Sequence, residues 1–232
     1  MAREFTKSMF IMLLSIMVGA VIITYFVADI VNRSAIESLT TKHTAEIETI
    51  EEMNINFTDH FMKSSALLDS ARENRAMGNY YFDLAFLWYQ SALSETNNSI
   101  MELYKNRTID NCTSAMPQYQ YSHDNFEIAK SYFKTTKNYT TYVRYWDILD
   151  IYIGLTGSGA RLAMLRYNAS LYLKYLTENL TMKDGMVSFM GNVSDLMDLF
   201  NETMMLYGEE LGIFDEFNDA LDEYEFFEEV RE

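Results

Sequence analysis

The stretch FIMLLSIMVGAVIITYFVADIV, residues 10–31, divides the chain in two. From Met9 to Val27 no residue is charged over 19 positions. At a helical rise of about 1.5 Å per residue, such a run reaches roughly 28 Å, the thickness of a bilayer's hydrocarbon core. A cleaved signal would have an apolar core of about 7–15 residues followed by a small-x-small site. This core is longer, and its end, Tyr25 to Asn32, lacks that site. Residues 9–31 are therefore expected to be a retained transmembrane helix in the lipid bilayer. Arg3 and Lys7 assign residues 1–8 to the cytoplasmic side, because basic flanks stay inside. The expected location is the cell membrane, with the main domain extracellular from Asn32 onward. Ile151–Leu155 and Met186–Met190 are too brief for a second span. Ser15, Gly19, Ala20 and Thr24 would let another helix approach in lipid, although a span also tolerates small residues without a partner.

The remaining roughly 200 residues are enough for one domain with a full core. One proline and nine glycines among 232 residues leave few turn formers, which favours long helices. A single cysteine, Cys112, rules out an intramolecular disulfide, so packing alone must hold the exported part. The net charge of −16 excludes nucleic acid as a partner, since a polyanion is repelled.

Asn-x-Ser/Thr occurs ten times, at Asn32, Asn56, Asn97, Asn106, Asn111, Asn138, Asn168, Asn179, Asn192 and Asn201. For the chain's sixteen asparagines, chance gives about two or three such sequons. N-glycosylation at all except Asn32 is the expectation; Asn32 emerges too close to the membrane for a transferase. Asn97, Asn106, Asn111 and Asn138 are expected in or beside loops. Dense sequons, an acidic balance, no disulfide pair and an uncleaved anchor together fit an archaeal-like cell-surface glycoprotein.

Beyond the anchor, Ile36, Leu39, His43, Ile50, Met53 and Phe57 fall on heptad a and d positions, with Glu46 a polar miss. About two heptads is short for a free coiled coil, so the first helix of a bundle is expected here. Residues 61–93 read as helix, continuous or folded back near Gly78. Asn106 to Asp124, with Pro117 and two sequons, reads as the longest loop. Helices are expected at about 125–137 and 140–155, with Thr156-Gly-Ser-Gly159 as a break. Two more are expected at about 160–182, stopped by Lys183-Asp-Gly185, and 187–207, closed by Gly208. Residues 209–232 carry eleven acids and one arginine, yet Phe214, Phe217, Leu221, Tyr224 and Phe227 recur at helical spacing. That segment is expected to be a separate acidic amphipathic helix whose aromatic stripe packs on the protein's own bundle, a partner protein being the alternative. No segment shows sustained period-two alternation. The fold class is all-α: one transmembrane helix, a helical domain over 32–208, and the acidic helix.

Ala85-x3-Tyr89-x2-Ala92-Leu93, followed by Ser94-Glu-Thr-Asn-Asn98, resembles the second helix of a tetratricopeptide hairpin. That resemblance implies an array of helical hairpins. No period of about 34 residues recurs along the chain, which favours a bundle over an array.

Candidate chemistry is sparse. Gly154-x-x-Gly157-x-Gly159 has the glycines of a phosphate cradle but neither a preceding strand nor a P-loop lysine, and reads as a helix-to-helix turn. His43, His60 and His123 lack metal-ligand spacing. Asp147 and Asp150 read as a solvent-facing pair. Cys112, inside the sequon Asn111-Cys-Thr113, reads as an unpaired loop thiol, with an interchain bridge as the lesser option. No catalytic, cofactor-binding or metal residue is assigned, and no enzyme activity or cofactor is expected. The leading expectation is an anchored glycoprotein acting by contact, as an accessory or structural subunit of an envelope or surface complex. Its partners would be other membrane or surface proteins, or further copies of itself. The alternative is a sensory or small-ligand-binding helical ectodomain, which would signal through a partner because about eight cytoplasmic residues hold no signalling module.

Overall fold

The computed structural model describes the backbone of residues 2–223 and the side chains of residues 17, 20–21 and 23–223. Helix α1 spans Ala2–Leu93, α2 Asn98–Thr136, α3 Val143–Glu178 and α4 Ser194–Asp222. A short 3-10 turn, Lys137–Tyr139, follows α2. Strands β1 (Leu180–Lys183) and β2 (Met186–Phe189) form an antiparallel hairpin between α3 and α4. The chain divides into two units, residues 1–53 and 54–232.

In the first unit the described side chains face solvent on every side of the helix, with Asp29 and Met53 half-buried. The hydroxyls of Thr24, Thr40, Thr41, Thr44 and Thr49 each donate to the carbonyl four residues back, at 2.8–2.9 Å. A threonine-rich helix thus satisfies its own polar groups without a neighbour. The expectation that residues 36–53 form a bundle helix is corrected: Ile36, Leu39, Ile47 and Ile50 are exposed, and only Met53 at the end of the stretch is half-buried. The bundle begins at Phe57, which packs on Phe61 and Tyr145.

The second unit is an all-α, four-helix, up-down-up-down bundle. Its buried positions step alternately by three and four, the spacing that keeps one helix face on the core. On α1 they are Ser64, Leu68, Ala71, then Gly78, Phe82, Ala85, Tyr89 and Ala92. On α2 they run without a gap through Thr108, Cys112, Ala115, Tyr119, Ser122, Phe126, Ala129, Phe133 and Thr136. Two apolar clusters each draw on all four helices. One is built around Phe82, Tyr119, Leu173 and Phe200, the other around Leu68, Phe126, Leu162 and Phe214. The Ala85–Leu93 pattern serves this shared core: Ala85, Tyr89 and Ala92 are successive core positions of a closed bundle.

Residues 106–124 are helix, not loop, because their seam carries Thr108, Cys112, Ala115 and Ser122, too small or polar to register as an apolar stripe. Pro117 lies inside α2 on its exposed face, where the carbonyl it leaves unbonded can meet water. Thr156–Gly159 does not break α3. The segment is buried, and Gly159 admits an aromatic ring. A β-carbon on Gly159 would stand 2.6 Å from the Phe126 ring, and one on Gly78 2.7 Å from Tyr119. One on Gly154 would collide with Phe217. Gly208 does not close a helix either, since α4 continues to Asp222. The described part of the acidic segment, residues 209–222, is therefore the second half of α4. Phe214 is buried, and Phe217 and Leu221 pack on the same cluster. Tyr224 and Phe227 lie outside the described residues.

The segment expected to end one helix and begin another is a hairpin. Asp184 and Gly185 have φ of 53° and 77°, which is the two-residue turn that matches strand twist. Leu180, Met182, Val187 and Phe189 turn their side chains onto the Phe82 cluster, closing that end of the bundle. Helix α3 is also the one described helix long and apolar enough to cross a membrane. More than half of its apolar window is buried inside the bundle, so it is the core helix of this unit.

Overpacking a core costs about 1–3 kcal/mol, whereas glycine to alanine in an open helix gains about 0.5–1 kcal/mol. Gly159→Ala and Gly78→Ala are expected to lower unfolding stability by about 1–2 kcal/mol net. Gly208→Ala and Gly212→Ala, with nothing near the new methyl, should raise it. Urea unfolding of the four variants measures the contrast.

Candidate functional site

Between the two apolar clusters the seams of all four helices contribute polar side chains. Arg75 occupies the α1 seam position between Ala71 and Gly78, and Arg166 the α3 position between Leu162 and Ala169. Tyr119 of α2 and Tyr207 of α4 stand with them, close enough for both tyrosines to interact with both guanidiniums. The Tyr119 hydroxyl donates to Asn79 Oδ1 at 2.8 Å. Burial pushes the Tyr119 phenol well above its ordinary range, so it remains a proton donor.

Rings hold the arginines. The Arg166 guanidinium lies 4.4 Å from the Phe82 ring centroid and 4.0 Å from that of Tyr207. That of Arg75 lies 4.1 Å from Phe214. Among the described residues neither arginine has a carboxylate at ion-pair distance. Arg75 Nη1 and Arg166 Nε are buried without a hydrogen-bond acceptor. Burial accordingly lowers the Arg75 pKa, with Asp215 and the tyrosines acting in the opposite direction. Each unmet buried donor costs about 1–3 kcal/mol, and a buried cation costs more. Arg72, one turn from Arg75, is engaged: its Nη2 donates to Asn218 Oδ1 at 2.7 Å. It lines a cleft of about 390 Å³ with Ser65, Asp69, Tyr152, Asn218 and Asp222.

A carboxylate does enter the core beside this layer. Glu210, only 12% exposed, accepts two hydrogen bonds from Arg161 at 2.8 Å and one from the buried Ser158 hydroxyl. Burial raises its pKa, but the bonds from Arg161 and Ser158 outweigh burial and leave it lowered.

The groups singled out in the sequence fall elsewhere. Cys112 is buried in α2, and burial pushes its thiol up to about 12, so the expected loop thiol is corrected to an inert core residue. Gly154, Gly157 and Gly159 lie mid-helix and form no anion loop. His123 Nδ1 is 3.2 Å from the Ala160 carbonyl, His60 lies between the rings of Tyr132 and Tyr139, and His43 is exposed beside Glu46. Among the described residues no group of three or more His, Cys, Asp or Glu is placed to hold a metal. Asp150 receives Lys137 at 2.7 Å, while Asp147 is exposed.

Of the nine sequons expected to carry glycans, Asn97, Asn106, Asn138, Asn192 and Asn201 are exposed, and Asn56, Asn111, Asn168 and Asn179 half-buried. Asn97 caps α2 from the preceding loop, whereas Asn106 and Asn111 lie inside α2, not beside a loop. The sequon hydroxyls Thr108, Ser170 and Thr203 are buried. Thr108 and Ser170 donate to carbonyls four residues back, giving those two a structural task as well.

The arginine layer and the Glu210 bonds belong to no recognisable motif, so the sequence alone did not single them out. The signal was present: each arginine of the layer stands at a seam position among small and aromatic residues. Neither a family model, a curated protein nor a solved structure matches this chain.

Arg166 is half-buried with no carboxylate at ion-pair distance among the described residues, and replacing such a cation by an apolar side chain of similar length relieves desolvation. In dilute buffer Arg166→Met is expected to stabilise the bundle by about 1–2 kcal/mol in thermal unfolding, net of the lost ring contacts. Glu210 has a folded pKa below its unfolded value. Its contribution is therefore present above the unfolded pKa of about 4.3 and disappears as pH falls through the folded one. Arg161 is more than half exposed, so Glu210→Gln should cost only about 0.5–1 kcal/mol at pH 7. At pH 2–3, roughly, that difference should shrink towards zero.

Proposed function

We propose that this chain is a single-pass, membrane-anchored surface glycoprotein that works by protein contact rather than by catalysis. The bundle lies on the extracellular side and residues 1–8 on the cytoplasmic side. The observation that carries the reading is the exposed apolar surface of α1. Met17, Val21, Ile23, Tyr25, Phe26 and Val27 are each more than half exposed on a helix with no charge between Met9 and Val27. Water is a poor solvent for such a surface, and a bilayer is a good one. The Thr24 hydroxyl returns to the Ala20 carbonyl at 2.8 Å, so it needs no water within the hydrocarbon. Asp29, ion-paired with Arg33 at 3.0 Å, stands where headgroups and solvent begin.

Beyond the anchor, Ile36, Leu39, Ile47 and Ile50 leave an apolar stripe open on α1. Such a stripe, held close to the membrane, suits another helix of a surface complex. Exposed sequon asparagines on the bundle support glycan attachment on the same side. No constellation of nucleophile, base and oxyanion donors among the described residues argues for an enzyme.

Alkaline carbonate extraction of membranes expressing the full chain tests the anchor. The protein should stay in the pellet, and external protease on intact cells should remove the bundle. Mild detergent purification should bring a companion, or a homomer, with it. Release by carbonate would refute the anchor, and recovery of monomer alone from native membranes would refute the contact role.

A further inference from the structure

We propose that the folded bundle accepts N-linked sugar at two of its nine sequons beyond the anchor, Asn97 and Asn192, and that the fold closes the other seven. The inference deepens the surface-glycoprotein reading and rests on it for the meeting of bundle and glycosyltransferase.

The chemistry sets the requirement. In N-glycosylation the asparagine Nδ2 bonds to C1 of a sugar carried on a lipid pyrophosphate. The C1–O bond breaks, the lipid pyrophosphate leaves with its electron pair, and Nδ2 gives up one proton to a base. An acceptor must therefore offer one enzyme site both a free Nδ2 and, two residues on, an accessible hydroxyl. Within an α-helix, residues i and i+2 stand about 200° apart around the axis, so the two groups face nearly opposite sides.

The closed sequons fail on one count or the other. Asn106 and Asn201 are exposed and Asn168 half-buried, but their partners Thr108, Ser170 and Thr203 are buried. At Asn111 and Asn179 the nitrogen is taken: each Nδ2 donates to the carbonyl four residues back, that of Arg107 at 2.7 Å and that of Tyr175 at 2.8 Å. Asn56 is half-buried within α1, and the Thr58 hydroxyl donates to the Asn54 carbonyl at 2.9 Å. At Asn138, in the 3-10 turn, Thr140 is half-buried and its hydroxyl accepts from the Tyr142 N–H at 3.2 Å.

Asn97 and Asn192 meet both counts. Each asparagine is exposed, and so are Ser99 and Ser194, the serines two residues on. Each amide oxygen accepts from the N–H of that serine at 3.0 Å, which keeps the two side chains of the sequon on one side. Among the described residues neither Nδ2 has an acceptor, so the nitrogen that must react is the free end of the amide. Both sequons lie in loops, where an enzyme can take hold of the chain without opening the core. One loop joins α1 to α2 and the other joins the hairpin to α4, and Ala92, Met101, Leu180 and Val193 beside them meet in one cluster. The sugars would thus share the end of the bundle away from Phe57, leaving the helix faces open to protein contact.

The test uses the full chain in detergent, made without glycans and incubated with a purified oligosaccharyltransferase and its lipid-linked oligosaccharide. Synthetic peptides covering the nine sequons run in parallel and correct for sequence preference. Site-resolved mass spectrometry should find Asn97 and Asn192 modified at close to the rates of their peptides. Asn106, Asn168 and Asn201 should lag theirs by at least about tenfold, because their hydroxyls emerge only on local unfolding. The double variant Asn97→Gln, Asn192→Gln should take up almost no sugar while folded. Peptide-like rates at the three buried-hydroxyl sequons of the folded chain would overturn the proposal. So would Asn97 and Asn192 lagging their peptides as far as those three. Carbonate release of the chain would refute the anchored reading and leave this acceptor pattern unchanged, so the two failures are told apart.

Discussion

Phe126 and Phe217 reach α3 at Gly159 and Gly154, and Tyr119 reaches α1 at Gly78, where a β-carbon would meet the ring. These close approaches set the bundle's spacing. The domain has no disulfide, so interlocking of large rings with missing side chains supplies the specificity that covalent links provide elsewhere. Alanines at Ala71, Ala85, Ala115, Ala129, Ala160, Ala163 and Ala169 extend the same pattern of small against large along the core. Helix α3 carries two of the three glycine notches and is buried on every side over residues 155–160, which makes it the member the others pack on.

A core so tightly matched has room for polarity only at defined levels. Arg75, Arg166, Tyr119 and Tyr207 interrupt the apolar seam near its middle, and Glu210 enters beside them with Arg161 and Ser158. The Glu210 group is closed: its charges and hydrogen bonds are paired. The arginine layer is open, held by ring faces and left with two donors unmet.

Helix content was legible in the sequence because proline and glycine are scarce, and the long apolar run near the start was plain. The helix breaks were not. Thr156–Gly159 and Gly208 carry residues that usually end helices, and Pro117 one that usually prevents them, yet tertiary packing or an exposed helix face overrides each. The α2 seam was hidden by its own composition: Thr108, Cys112, Ala115 and Ser122 make a core stripe with little hydropathy contrast. Asp184-Gly185, by contrast, was a readable hairpin signal, flanked by the alternating Leu180, Met182, Val187 and Phe189. Arg75 and Arg166 could have been singled out only after the three-four seam around them was recognised.

Hydrogen–deuterium exchange on the full chain in lipid nanodiscs tests the central account most directly. An unbroken α3 at the heart of the bundle predicts that the amides of residues 155–177 exchange slowest of the whole domain, with no gap at 156–159. A lipid-embedded start of α1 predicts a second protected stretch through the uncharged run, separated from the first by faster exchange over residues 36–53. Rapid exchange at 156–159 would break α3 into two helices and contradict the packing argued here, and an unprotected uncharged run would contradict the anchor.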